Sequence, residues 1–467
     1  MARDIPNPRL KELLLEAHWT AGELARAINS EGRAQGMDLR YDRTSVAHWL
    51  SGSRPRPPVP RLAAAVLARR LRRPVLPDDL GLADDAPDPS GAADATDHEQ
   101  GDDPVARLIA LTRADAMPGT RAALTRLVYA PVPVAPPVWP PDGSALPQRP
   151  PGVGGVGGGI GGGVGTRSAD AGARDLGAMA AVFARQLGHQ GGGHARSALA
   201  AYLRDDAAGL LNRPADEASR RLLLTHTAQL THLLANMTAD TDRHALAQRY
   251  LHTALALAHR AHDRRTCAIT LRALSLQALE CGHLRVAADL ADAAVRTAPH
   301  APGATRAFLL TQRALTHARG GRRTEALSDL AEAEGWHTAV PEGQGPFAAY
   351  PLDGFHYQRG EILLALDELP RALQAFESSA RHRRPQDHRL AALTQARKAE
   401  TLLRLGHLDA ACTAWSPFLR RYPLLRSTRA DGALDRLRAH LRPFARHPGA
   451  AHVLEAARAV TALRGPC

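Results

Sequence analysis

Hydrophobic positions in the first eighty residues recur at helical spacing and define several short elements. Leu10, Leu13, Leu14 and Ala17 mark one face of a helix over residues 7–17. Thr20 with Glu23 three residues on has the form of a capping box, in which each side chain satisfies the other's backbone N–H. The helix it opens runs over 21–29 and turns Leu24, Ala25 and Ile28 inward. Asp42 is a good N-cap for a third helix, Arg43–Leu50, which Ser51-Gly52 stops. A fourth helix over 60–71 ends before Pro74, and a short turn at 78–82 closes a small bundle.

The pattern then changes three times. Residues 83–103 carry eight acids and no Lys or Arg, the composition of a solvated acidic linker. Residues 104–129 predict an isolated helical segment with Val105, Leu108, Ile109 and Leu111 on its apolar side. Residues 130–168 are Pro-rich and then Gly-rich, which predicts a flexible linker.

From 169 to 467 the helical pattern is nearly unbroken, and it repeats. The turn positions Asp242, Gly282, Gly321, Asp367 and Gly406 stand thirty-nine or forty residues apart, except for forty-six between Gly321 and Asp367. Five residues after each turn stands Ala247, Ala287, Ala326, Ala372 or Ala411. Four further on stands Leu251, Ala291, Leu330, Phe376 or Trp415. Seven before each turn is a small residue: Ala235, Ser275, Ala314, Gly360 or Ala399. Small residues let two helices of a pair approach, and the larger one fills the gap to the next pair. Such units bury their apolar faces only by stacking, so the expectation is an α-solenoid of tetratricopeptide-like helical pairs with a concave face. The whole chain is expected to be all-α. Helices near 431–441 and 450–464 would cap it.

Composition agrees. Aromatics are only 4% of the 467 residues, too few for a β-sandwich core. The formal net charge is +12, but Lys occurs only at Lys11 and Lys398. That Arg-for-Lys skew is what GC-rich coding sequence writes everywhere, so the charge permits nucleic-acid binding without establishing it. The four cysteines have no zinc spacing or C-x-x-C pair. The first residues do not read as a signal peptide, and no apolar run is long enough to span a bilayer. A cytoplasmic, nucleoid-associated protein is expected, with no membrane partner.

The glycine tract ends in Gly-Thr-Arg, without the Lys and preceding strand of a phosphate-binding loop. Of the twenty-two His residues, His226 and His232 fall on different helix faces, and His259 and His262 adjoin Arg260, Arg264 and Arg265. They read as solvated or interhelical side chains. The RHRR run at 381–384 reads as a solvated face. No catalytic residues, metal or cofactor are expected, and no enzyme.

The third helix is different. With Val46, Trp49 and Leu50 inward, Arg43, Thr44, Ser45, Ala47 and His48 are left to face outward, and Arg54 and Arg56 follow. Arg forks onto guanine, hydroxyls reach bases or phosphates, and the Ala methyl can meet a thymine methyl. These seven residues are the candidate DNA contacts. The stretch from Leu24 to Pro60 resembles the actinobacterial Cro/repressor-like (XRE-type) helix-turn-helix regulators through Leu24, Ala25, Ser45, Val46, Trp49, Gly52 and Pro57. Residues 191–203 and 239–258 resemble the tetratricopeptide-like half of the same proteins. One departure is the link from Ser30 to Tyr41, longer than the usual turn of three or four residues. The resemblance implies a transcriptional regulator of differentiation or secondary metabolism. Its partners would be double-stranded DNA, a peptide or protein ligand of the repeats, and a second copy in a homodimer. The alternative is a non-enzymatic scaffold whose N-terminal bundle, 1–82, docks protein.

Overall fold

The computed structural model describes residues 7–34, 39–53, 55, 59–71, 80, 103–125, 127–131, 139, 163–337 and 346–464. It is all-α, and no strand occurs among the described residues. The chain divides into two compact units, Met1–Gly101 and Asp102–Cys467.

The first unit contains α1 (Pro8–Glu16), α2 (Ala21–Ala34), α3 (Arg43–Leu50) and α4 (Val59–Leu71). Its core joins Leu10, Leu14, Leu24, Ile28, Val46, Trp49, Leu62 and Leu67. The Thr20–Glu23 capping box forms, and the Asp42 cap is itself a capping box with Ser45. Glu23 accepts from the backbone N–H of Thr20 at 2.6 Å. Asp42 accepts from the backbone N–H of Ser45 at 2.8 Å. α2 is longer than the apolar pattern predicts, because polar residues continue a helix whose buried face is already set. It therefore absorbs part of the link seen in the sequence.

The second unit begins with α5 (Pro104–Ala116) and α6 (Pro118–Thr125). The predicted isolated segment is thus two helices, and they pack on the repeats. Leu108 is fully buried in the core that also holds Leu199 and Leu246. The reason is polar as well as apolar. Asp115 of α5, 2% exposed, pairs with Arg196 and accepts from the Tyr250 hydroxyl at 2.9 Å. The predicted linker over 130–168 also requires correction where it is described. The carbonyl of Ala130 accepts from Gln248 at 2.7 Å. The Trp139 ring lies 5.0 Å from that of His259. Residues from Gly163 onward are already helical, in α7 (Gly163–Gln190). Of the acidic stretch 83–103 only Asp103 is described, and it caps α5.

α8 (Gly192–Tyr202) follows, continued through a π-helical turn, Leu203–Ala207, and a last turn, Ala208–Leu211. Five helical pairs come next: α9 (Glu217–Ala239) with α10 (His244–Arg260), α11 (Arg264–Glu280) with α12 (Leu284–Thr297), and α13 (Gly303–Arg319) with α14 (Arg323–Trp336). The fourth pair is α15 (Leu352–Ala365) with α16 (Leu369–His382), and the fifth is α17 (His388–Arg404) with α18 (Leu408–Arg421). α19 (Thr428–Leu441) and α20 (Pro448–Arg464) finish the chain.

The repeat read from the sequence is what holds these pairs together. Ala247, Ala287, Ala326, Ala372 and Ala411 are all fully buried. All five turn residues have positive φ, from 61° at Asp242 to 85° at Gly282. This left-handed conformation ends each helix with a bond from the next N–H back to the carbonyl five residues earlier, as from His283 to Ala278 at 2.8 Å. Asp serves at two of the turns because it tolerates that conformation better than most side chains.

A second set of bonds joins the first pair to the last. Asp240, at the end of α9 and 1% exposed, accepts from Arg389 of α17 at 2.7 Å. It also accepts from the Ser427 hydroxyl at 2.8 Å and the Gly192 N–H at 2.8 Å. Its carbonyl accepts from the Thr428 N–H at 3.0 Å. A Cβ at Gly192 would come within 2.3 Å of the Met237 carbonyl, so only glycine allows α8 to start there. A carboxylate taken from water is tolerated only when its lone pairs are filled in this way.

Candidate nucleic-acid interface

α3 is held on three sides. Val46 is fully buried and Trp49 is 5% exposed. The Tyr41 ring meets Trp49 edge-on at 5.3 Å. Asn29 of α2 pins the approach to α3, donating to the Tyr41 carbonyl at 2.8 Å and accepting from its N–H at 2.9 Å. At the far end, the Asn7 N–H bonds the Leu50 carbonyl at 2.9 Å. The long link therefore does not leave α3 loose against α2.

The fourth side is open. Arg43, Thr44, Ala47 and His48 are exposed. Among the described residues no carboxylate lies within ion-pair distance of Arg43. Ser45 is half-buried, and its hydroxyl donates to Asp42 at 2.8 Å. It therefore belongs to the cap more than to the open face. The hydrogen bonds from Ser45 hold the Asp42 carboxyl below its ordinary range. Arg54 and Arg56 lie outside the described residues. The face thus gathers one guanidinium, one hydroxyl, one methyl and one imidazole on a short, rigid helix, a set suited to reading an edge of polar groups. Sequence reasoning missed Asn29, because an Asn on the outer side of a helix gives no sign of the backbone it will hold twelve residues later.

His232 and His226 of the second unit are held within the helical packing. His232 is 3% exposed and bridges α9 to α11 through the Thr270 hydroxyl at 3.2 Å. Burial, with Arg272 nearby, takes its pKa down to about 3. His226 sits 3.2 Å from the side-chain oxygen of Gln229. Among the described residues, no group of three His, Cys, Asp or Glu side chains is placed to hold a metal ion. No described helix is long and apolar enough to cross a membrane. Burial pushes the thiols of Cys267, Cys281 and Cys412 up.

The second unit carries a half-open cavity of about 970 Å³. Its walls come from α11, α13, α15, α17 and α19 together with residues 346–351.

Residues 10–83, which span α1 to α4, match the family model described as the SP15 N-terminal domain. No curated protein matches the chain.

Proposed function

We propose that the chain is a DNA-binding transcription regulator that lays α3 in the major groove. The observation that supports this most is the open face of α3: Arg43, Thr44, Ala47 and His48 are exposed on a helix capped at both ends and fixed by Trp49 and Asn29. A reading helix needs that combination of rigidity and unsatisfied polar groups, since base edges discriminate by bonds a mobile side chain makes poorly. The all-α repeat unit supplies surfaces for a peptide or protein partner and for pairing with a second copy. Two copies would set two α3 helices about one turn of DNA apart and read a near-palindromic site.

The test is binding of the full chain to genomic fragments across a salt series. A preferred sequence is expected, with affinity falling steeply as salt rises. Arg43→Ala should weaken that preferred site by about 1–3 kcal/mol, roughly 5- to 150-fold, and relax its sequence preference. Binding without sequence preference or salt slope would overturn the proposal and favour a protein-docking bundle.

A further inference from the structure

α2 ends at Ala34 and α3 begins at Arg43, so residues 35–42 join them, and of these 39–42 are described. A connection of that length does not by itself fix the angle between two helices, as a turn of three or four residues does. Here the returning end is held instead. Asn29, half-buried on α2, turns both halves of its side-chain amide to one residue. The nitrogen donates to the Tyr41 carbonyl at 2.8 Å, and the oxygen accepts from the Tyr41 N–H at 2.9 Å. Two bonds from one rigid plane leave Tyr41 little freedom to rotate or slide along α2. Packing acts at the same place. Leu39 lies over Gly32 so closely that a Cβ on Gly32 would come within 2.6 Å of its side chain. The Tyr41 ring passes the restraint to α3 through Trp49, 5.3 Å away. Asp42, the next residue, caps α3.

DNA contacts differ in how much they depend on such a hold. Hydrogen bonds to base edges are directional and weaken steeply when donor and acceptor are misaligned. Attraction to the phosphates acts through charge over a longer range and survives a small displacement of the helix. We infer that Asn29 is a positioning residue for sequence reading, a role that rests on the DNA-binding reading of α3 proposed above. Acting through Tyr41, it sets the sequence preference of α3 and leaves the general attraction to DNA unchanged.

The test uses full chains carrying Asn29→Ala, Arg43→Ala or both, titrated across a salt series. The probes are the duplex that the wild-type chain selects from a random pool and a scrambled duplex of the same length. Asn29→Ala should weaken the selected duplex about 5- to 50-fold, the scale of a lost directional base contact. Its affinity for the scrambled duplex should change less than about twofold, with the same salt slope. In the Arg43→Ala background the same substitution should cost at most about a third of that factor, because a contact it would misplace is already gone. Hydrogen exchange at the Tyr41 N–H should speed up, while circular dichroism and melts show the bundle folded. Should Asn29→Ala fail to fold, Gly32→Val displaces Leu39 instead and takes its place in the same cycle. It too should lower the ratio of selected to scrambled affinity. An unchanged ratio, an equal loss on both duplexes, or a loss that simply adds to that of Arg43→Ala would overturn the positioning role and leave the DNA reading standing. A wild-type chain that selects no duplex would overturn both.

Discussion

Two arginines, one in each unit, are used in opposite ways: Arg43 of the bundle and Arg383 of the repeat unit. In the N-terminal bundle, Arg43 stands exposed on α3, away from any described carboxylate, with Asp42 engaged by Ser45 instead. In the repeat unit, arginines along the inner walls meet carboxylates at close range, as Arg383 meets Asp353. Around α3 the polar bonds thus fix the helix and leave Arg43 exposed. Arg383, Arg397 and Arg429 of the repeat unit are instead spent on internal ion pairs. Surface basicity alone hides this, because the same residue type does both jobs.

The sharpest way to break that contrast is to remove a carboxylate the repeat unit relies on. Asp240→Ala leaves Arg389 buried without its partner and should cost about 3–5 kcal/mol. Urea unfolding should show the loss in the repeat unit, with hydrogen exchange rising first in α8 and α17 and unchanged in α2 and α3. Equal loss of protection in both units would mean they are not separate in the way described. Next in size is Gly360→Ala. A Cβ there would sit 2.5 Å from the ring of Phe376, which is itself fully buried. Overpacking should cost about 1–3 kcal/mol, read from the same melts.

Acid should separate the units by a smaller margin. His232 is kept neutral in the fold down to about pH 3, whereas the unfolded chain takes up that proton near the ordinary value. The unfolded state binds more protons in between, so repeat-unit stability falls as pH drops from about 6.5 towards 3, by roughly 1–2 kcal/mol at pH 5. In the bundle, Glu23 and Asp42 titrate below their ordinary ranges. Their contribution holds until the pH falls below those ranges. Calorimetry of His232→Gln should show a flatter pH dependence for the repeat transition alone. The smallest test reverses sign between units. Gly321→Ala places a side chain at φ 73° and should cost about 1 kcal/mol. Gly22→Ala, in the first turn of α2 with open space around it, should gain about 0.5 kcal/mol.

The sequence alone determined the elements that depend on near neighbours. Helix faces, the Thr20–Glu23 capping box, the Asp42 N-cap, the five turns and the small residues inside each pair are written within about a dozen positions of one another, so local pattern finds them. Val46 and Trp49 inward with Arg43, Thr44, Ala47 and His48 outward was legible for the same reason, although the commitment of Ser45 to the Asp42 cap was not. Only the tertiary structure decided the rest. Asp240 meets Arg389 and Ser427 across 149 and 187 residues of chain, Asp115 meets Arg196 and Tyr250, and Phe347 comes back to His232. In a one-dimensional pattern a charged residue reads as solvated. Whether it is buried depends on which distant residue arrives to satisfy it, and no local spacing encodes that meeting. The forty-six-residue step was the one visible trace, an irregularity whose described part, residues 346–351, packs against α9, α11 and α13.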